Sequence, residues 1–120
     1  MVLEEDILVT EWNPTDDVPP RCPHCGGHLR PDVVWFGELL PPAAIEAAFS
    51  ASEQCDLFLS IGTSSQVEPA ASLPLEALRQ GATVVEINLH PTPLTAQANF
   101  ALPGPSGEEL PALLRAAWPE

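Results

Sequence analysis

The chain has 120 residues, a formal net charge of −13, no lysine and four arginines, and this length suits one domain with a modest core. A nucleic-acid surface needs a basic patch for the phosphates, so this charge excludes DNA and RNA as partners. No stretch approaches the roughly 18 apolar residues of a membrane span, and acidic residues stand where a signal peptide carries cations. We therefore predict a cytoplasmic protein with no membrane partner.

The first 33 residues contain an acidic, turn-rich stretch followed by a pair of cysteines. Ile7–Trp12 is a candidate short strand, and residues 13–17 are a candidate turn. Cys22 and Cys25 form a Cys-x-x-Cys pair, which fits metal binding in a reducing compartment better than a disulfide. A closed zinc site needs four ligands, so we expect the half-site to stay incomplete in the isolated chain. Possible completions are a second copy of the chain, His24, His28 and Cys55, the last of which is better explained as a core thiol.

The segment after the cysteines is rich in β-forming residues. Asp32–Phe36 predicts a strand that ends at Gly37. Because Trp35 and Phe36 are adjacent, they should point to opposite faces of that strand, one into the core and the other into solvent or a cleft.

A helix and a strand are predicted next. The Pro41-Pro42 pair can open a helix that runs to about Gln54. Its inward face would carry Ile45, Ala48, Phe49 and Ser52. Leu57–Ile61 is a nearly continuous apolar run, as expected for a strand that is buried on both faces.

The next elements repeat the alternation of helix and strand. Ser72 is a candidate N-cap for a helix with Leu75 and Leu78 inward, and Gly81 follows its end. Ala82–Ile87 is a second buried run. The order of elements predicts an α/β fold with a parallel sheet.

The last predicted elements are a strand and a helix. Asn99–Leu102 is the strand, and Ser106 and Glu109 have capping-box spacing for the helix, although Pro111 leaves its start open. Its apolar face would carry Leu110, Leu113, Leu114 and Ala117.

Three turns lie where the predicted strands end, at the edge where such sheets bind ligands. They are Gly62-Thr63-Ser64, Asn88-Leu89-His90 and Gly104-Pro105-Ser106. Small and hydroxyl side chains let a ligand approach the backbone closely. The pattern predicts a nucleotide-sized site, but ordinary strand-to-helix turns explain it equally well.

Four motifs together carry a resemblance to a known family. CPHCGGHLRPDVVWFGE, IGTSSQVEPAASLP, VVEINLHPTPL and GPSGEELPALL, within residues 20 to 114, resemble the C-terminal half of a sirtuin. The resemblance implies an NAD-dependent protein-lysine deacylase. It implies the C-terminal half of a Rossmann-like parallel sheet with the remnant of a small zinc-binding module. Residues 1–33 would be the partial zinc module, and residues 34–120 would belong to the NAD-binding domain.

The resemblance also implies roles for particular residues. NAD would contact Gly62, Thr63, Ser64, Asn88, Leu89, His90 and Ser106. The acyl-lysine tunnel would be lined by the Val34 carbonyl and Phe36. The substrate peptide, part of an acylated protein, would insert between the strands Gly37-Glu38-Leu39 and Val67-Glu68-Pro69 by β-augmentation. Glu38 is more easily explained as such a strand-edge residue than as a general acid. Cys22 and Cys25 would bind zinc.

Several motifs of the family are absent from the sequence. They are the glycine-rich pyrophosphate loop, the Asn-Ile-Asp segment, the first cysteine pair and the His-Gly pair, whose histidine is the general base. The resemblance therefore implies no catalytic residue in this chain and no activity of the chain alone. We favour the hypothesis of a C-terminal piece of a deacylase whose missing half is encoded upstream. The alternatives are a non-catalytic module that binds an adenine nucleotide or ADP-ribose, and a subunit completed by the missing half or by self-association.

Overall fold

A computed structural model describes residues 18–119. The chain divides into two units, residues 1–39 and residues 40–120. The predicted strand Ile7–Trp12 and the turn at 13–17 lie outside the described residues. The predicted domain limits, 1–33 and 34–120, stay a prediction.

The described part of the first unit begins with a tight turn at the cysteine pair. The Cys22 amide donates to the Gly27 carbonyl at 2.7 Å, and the Gly26 amide donates to the Cys22 carbonyl at 2.9 Å. Arg21 and His28 form an antiparallel bridge that closes the turn. Gly26 has a φ of 71°, in the left-handed region that suits glycine. The local sequence therefore returns the chain on itself, with Cys25 exposed in the turn and Cys22 buried beside it.

The strand predicted at Asp32–Phe36 is wrong. The segment ends in a turn in which the Glu38 amide donates to the Trp35 carbonyl at 3.0 Å, and Gly37 has a φ of 88°. β-propensity produces a strand only where a neighbouring strand accepts the hydrogen bonds, and residues 18–39 offer this segment none. Trp35 and Phe36 are both exposed, so their predicted division between core and surface is also wrong.

The second unit has the predicted α/β order. Helix α1 spans Pro42–Gln54, strand β1 Leu57–Ile61, helix α2 Leu73–Arg79 after a 3₁₀ turn at Ala70–Ser72, strand β2 Thr83–Asn88, strand β3 Phe100–Pro103 and helix α3 Ser106–Ala117. The strands form a parallel sheet in the order β1-β2-β3, which confirms the parallel sheet. Leu57 pairs with Thr83, and Val85 pairs with Phe100.

The predicted helix ends are only partly confirmed. The predicted bounds of α1 and its predicted inward face are confirmed. Gly81, with a φ of 92°, ends α2 as predicted. The Ser72 hydroxyl, however, donates to Glu68 at 2.7 Å instead of capping the helix. Helix α3 begins at Ser106 itself and has no side-chain cap, so the capping box is wrong.

The core forms where α2 packs against β1 and β2. Ala77, Ala82, Val84 and Leu94 form its centre, and Cys55 packs against them, which confirms the core thiol. In α3 only part of the predicted inward face is covered, since Leu114 and Ala117 are exposed.

The two longer strands differ in burial. β2 is paired on both edges and residues 84–87 are buried. β1 is an edge strand among the described residues, and its second face carries Leu57, Leu59 and Ile61, all exposed. The predicted burial of both faces is therefore right for β2 and wrong for β1. The reason is that residues 40–119 supply nothing to cover the second face of β1.

A buried carboxylate ties the loop after β2 to the sheet. Glu86 is 2% exposed and accepts hydrogen bonds from the Thr92 and Thr95 hydroxyls. Thr95 in turn accepts from the Thr92 amide at 2.8 Å. The two hydroxyls thus supply the hydrogen-bond partners that a buried polar side chain needs. Among residues 18–119, no helix is both long and apolar enough to cross a bilayer.

We expect Val84→Ala to lower the free energy of unfolding by about 2–3 kcal/mol, because it opens a cavity in the centre of the core. Val84 is fully buried against Ala77 and Leu94. Urea denaturation followed by circular dichroism measures the change. The control Leu114→Ala removes an exposed side chain and should cost less than about 0.5 kcal/mol. Equal losses in the two variants would contradict this description of the core.

Candidate nucleotide site at the carboxyl end of the sheet

The three predicted turns leave the sheet side by side. The Gly62 amide donates to the Ile87 carbonyl at 2.9 Å, which extends the β1–β2 ladder into the first turn. The Gly104 amide donates to the Asn88 carbonyl at 3.0 Å, which does the same for β2 and β3. The sheet therefore brings the starts of all three segments to one edge, where parallel α/β sheets bind ligands.

Asn88 links the first turn to the second. Its side-chain amide donates to the Thr63 carbonyl at 2.6 Å, and its side-chain oxygen accepts the Leu89 amide at 2.9 Å. The Thr63 hydroxyl accepts the Ser65 amide at 3.2 Å. One side chain at the end of β2 thus fixes the backbone of the turn that follows β1.

The turn after β1 contains two residues with left-handed backbone. Gly62 has a φ of 64°, and an added Cβ would meet no atom within 4 Å, so its surroundings leave space for a ligand. Ser65 has a φ of 53°, which is uncommon for a residue other than glycine. Its hydroxyl is buried and has no hydrogen-bond partner in the described structure. Unsatisfied buried groups and strained backbone both concentrate at functional sites.

A cavity of about 230 Å³ lies beside this turn. Its lining includes Ser60, Thr63, Ser65, Val67 and Ala70. Complete ligand sites occupy roughly 300–1,000 Å³, so the cavity fits a part of a nucleotide. Sequence reasoning missed Ser65, although the second serine of the GTSS motif was the available signal.

The remaining residues predicted for the cofactor lie at the ends of the other strands. Leu89 and His90 are exposed directly after β2, and Ser106 is the first residue of α3. A Cβ on Gly104 would lie 2.4 Å from a carboxylate oxygen of Glu109, so the Glu109 side chain would have to move to admit a larger residue. The cofactor roles of all seven predicted residues stay predictions.

The predicted substrate residues lie in irregular segments. Val34, Trp35 and Phe36 line an open cavity of about 420 Å³ in the first unit, and Phe36 is 91% exposed. Gly37–Leu39 and Val67–Pro69 are turns or bends and not strands in this structure. Pairing of a peptide with either segment stays a prediction.

Glu38 forms an ion pair with Arg30. The two guanidinium nitrogens donate to the two carboxylate oxygens at 2.9 and 3.0 Å. The hydrogen bonds from Arg30, followed by that from the Trp35 amide, lower the pKa of Glu38 from 4.5 to about 2. Glu38 is therefore ionised at neutral pH, which disfavours its use as a general acid.

The cysteine pair does not close a metal site by itself. The Cys25 and His24 amides lower the pKa of the Cys22 thiol, and the His24 amide lies 3.4 Å from its sulfur. These contacts favour the thiolate that zinc requires. Within residues 18–119, however, no group of three or more histidine, cysteine or acidic side chains could hold a metal. Within residues 18–39, His24 and His28 therefore do not complete a zinc site in this structure.

Comparison with known proteins agrees with the resemblance. A model of the Sir2 family matches residues 4–69, more than half of the chain. The chain is 55% identical over 101 residues to NAD-dependent protein deacylase 1 of Pseudomonas aeruginosa, a match that covers 84% of this chain and 40% of that protein. The chain thus spans about 40% of the length of this curated relative.

Solved structures match to a similar extent. A Sir2 homologue in complex with NAD gives a TM-score of 0.76 at 45% identity, covering 86% of this chain and 40% of the other. A Sir2 complex with a p53 peptide and NAD⁺ gives a TM-score of 0.73 at 32% identity, covering 85% of this chain and 42% of the other.

Proposed function

The chain belongs to the Sir2 family, and from this we propose that it is the C-terminal part of an NAD-dependent protein-lysine deacylase. The observation that carries the proposal is the link between Asn88 and the turn at Gly62–Ser65. The likeness of the chain to a Sir2 homologue solved with NAD supports the choice of ligand.

The proposed cofactor site uses the backbone more than charged side chains. Gly62, Thr63 and Ser64 would contact the nicotinamide ribose and the phosphates, and the unpartnered Ser65 hydroxyl adds a donor and an acceptor beside them. Asn88, Leu89 and His90 would contact the adenine ribose, and Ser106 the adenine. When bound, NAD would supply an electrophilic ribose carbon for the acyl oxygen, with nicotinamide as the leaving group. The residues of this chain bind and orient the cofactor, and no residue here is assigned as the general base.

The proposed substrate is a protein that carries an acylated lysine. Val34 and Phe36 would contact the acyl-lysine side chain, because the open cavity beside them is lined by apolar groups. Gly37–Leu39 and Val67–Pro69 would offer their backbones to the substrate peptide. The peptide in a related Sir2 complex supports this class of ligand.

The proposed zinc module contributes two ligands from this chain, Cys22 and Cys25. Their thiolates suit zinc, and the amides that point at Cys22 favour the ionised form. The described residues of one chain offer no cluster of three ligands, so the other two ligands would come from another segment or from a second copy of the chain.

A second candidate is a subunit that works only when another polypeptide completes it, and the free edge of β1 favours it. Leu57, Leu59 and Ile61 are exposed on an edge strand whose outer hydrogen-bonding groups have no strand partner among residues 18–119. Such an edge can accept another strand. A non-catalytic module that binds ADP-ribose would use the same cofactor residues without chemistry.

We expect ADP-ribose to bind the chain and Asn88→Ala to weaken that binding about tenfold, because the substitution removes the hydrogen bond to the Thr63 carbonyl and the one from the Leu89 amide. Asn88→Asp keeps the acceptor for Leu89 but places a carboxylate oxygen against the Thr63 carbonyl in place of the donor, and because these two oxygens repel each other it should weaken binding at least as much. Isothermal titration calorimetry measures both variants.

The matched control is Gln97→Ala, which removes an exposed side-chain amide that donates to the Pro93 carbonyl in its own loop. Its affinity for ADP-ribose should equal that of the native chain. Absence of heat from the native chain at millimolar ligand would refute the cofactor site. Thermal unfolding of each variant separates lost binding from lost folding.

A further inference from the structure

We propose that Arg30 and Glu38 are a positioning pair that holds residues 33–38 in the turn presenting Phe36, and that this turn sets the affinity for the acyl-lysine segment. The inference rests on the proposed function and deepens it. It assigns to the Glu38 side chain a role other than pairing with the substrate backbone or donating a proton.

Arg30 and Glu38 form a bidentate ion pair. The two guanidinium nitrogens of Arg30 each reach a different carboxylate oxygen of Glu38, at 2.9 and 3.0 Å. Bidentate pairs of this kind are stronger and more directional than single contacts between charges. The contact spans eight positions in sequence and so closes a loop of the chain.

Both partners also bind the backbone inside that loop. Arg30 donates to the Val33 carbonyl at 3.1 Å, and Glu38 accepts the Trp35 amide at 3.0 Å. These are backbone groups that a strand neighbour would satisfy if Asp32–Phe36 formed the predicted strand. The pair therefore supplies hydrogen bonds to one carbonyl and one amide that a neighbouring strand would otherwise bind.

The pair also holds the aromatic side of the turn. The Arg30 guanidinium lies over the Trp35 ring, 5.0 Å from its centroid, in a cation–π arrangement. With Trp35 held in this way, the next residue, Phe36, extends into solvent and lines the apolar cavity together with Val34. Loss of the pair would release Trp35 and Phe36 together.

This arrangement predicts an effect on binding and not on folding. An exposed ion pair contributes little to global stability. A loop that must be ordered during binding, however, lowers the affinity for its ligand. Glu38→Gln keeps the size of the side chain but removes its charge, so it should loosen the turn and leave the unfolding midpoint of the chain unchanged.

The first experiment follows Trp35 in the full chain with Trp12→Phe and Trp118→Phe, so that Trp35 is the remaining tryptophan. We expect Glu38→Gln to raise the acrylamide quenching constant about twofold, since the ring loses its cover. Arg30→Lys, which keeps the charge but loses the bidentate contact, should give an intermediate value. The matched control is Glu76→Gln in the exposed Arg79–Glu76 pair, which should leave Trp35 unchanged. Unchanged quenching in Glu38→Gln would overturn the proposal.

The pH dependence of Trp35 quenching tests whether the Arg30–Glu38 contact itself holds the turn or whether the substitutions loosen the turn in another way. Because the pKa of Glu38 is lowered from 4.5 to about 2, the contact is fully present above pH 4.5 and is lost as the pH falls through about 2. In Arg30→Gln any remaining transition should move up towards 4.5. An identical acid midpoint in both proteins would also overturn the proposal.

The second experiment measures steady-state kinetics of the chain joined to the remaining part of the Pseudomonas aeruginosa relative. With an acetyl-lysine peptide, Glu38→Gln should raise the KM for the peptide about tenfold and leave the KM for NAD unchanged. An unchanged peptide KM in an active protein overturns the inference alone. Absence of activity in the native protein refutes the proposed function instead, and the quenching experiment still decides whether the pair holds the turn.

Discussion

The chain by itself is expected to show no NAD-dependent deacylation, and the remaining part of the Pseudomonas aeruginosa relative is expected to raise the rate by at least about 10²-fold. A general base contributes roughly 10²–10⁴-fold, and the resemblance implies that this chain has none. The chain covers 40% of that relative, so the other part has the length to supply it. Mass spectrometry of an acetyl-lysine peptide with NAD, with the two polypeptides separate and then mixed, measures the gain.

Removal of a single backbone amide tests whether the other polypeptide binds at the free edge of β1. The Thr83 amide donates to the Asp56 carbonyl, and the Gly62 amide donates to the Ile87 carbonyl. The backbone amides and carbonyls of the even-numbered residues of β1 therefore point to β2. The amide of Leu59 therefore points to the free edge. Leu59→Pro removes that donor without breaking the β1–β2 ladder, a position where edge strands tolerate proline. It should abolish the gain in rate, and a full gain in the variant would exclude the edge as the docking surface.

The isolated chain is expected to self-associate, and Leu59→Lys is expected to shift it to the monomer. The edge of β1 and its exposed face, on which Leu57 is 54% exposed, form an unpaired apolar surface. The net charge of −13 opposes association, so the mass should rise with salt, which screens the repulsion. Light scattering across a salt series measures both effects.

The control for self-association places the same charge elsewhere. Leu114→Lys adds a lysine to an exposed position of α3 and should leave the mass of the assembly unchanged. A monomer at every salt concentration in the native chain would contradict the prediction. Equal dissociation by both variants would indicate a charge effect without a defined surface.

Local patterns predicted most of the second unit. The bounds of α1 and β1 follow from Pro42, the apolar run and the residues between them, and each signal acts within a few positions. Gly81 ends α2 because its left-handed backbone is itself a local property. The predicted serine caps were wrong because a serine hydroxyl can bond to several nearby groups, and the Ser72 hydroxyl donates to Glu68.

The sequence predicted the segments that form the candidate site but not the hydrogen bonds that join them. The rule that parallel sheets bind ligands at one edge selected Gly62, Asn88 and Gly104 from their order alone. The bond from Asn88 to Thr63 joins residues 25 positions apart, and no spacing rule anticipates it. The burial of the Ser65 hydroxyl likewise depends on the fold of the whole turn.

The amino-acid sequence by itself determined the alternation of strands and helices, the parallel order and the family, because these follow from local periodicity and short motifs. The tertiary structure alone decided three further features. β1 is open on one face, Asn88 fixes the turn at Thr63, and the Arg30–Glu38 pair replaces a strand at Asp32–Phe36. Each of these depends on which groups lie nearby in space. The bond from Asn88 joins residues 25 positions apart, and even the Arg30–Glu38 contact, eight positions apart, follows from no helical or strand periodicity.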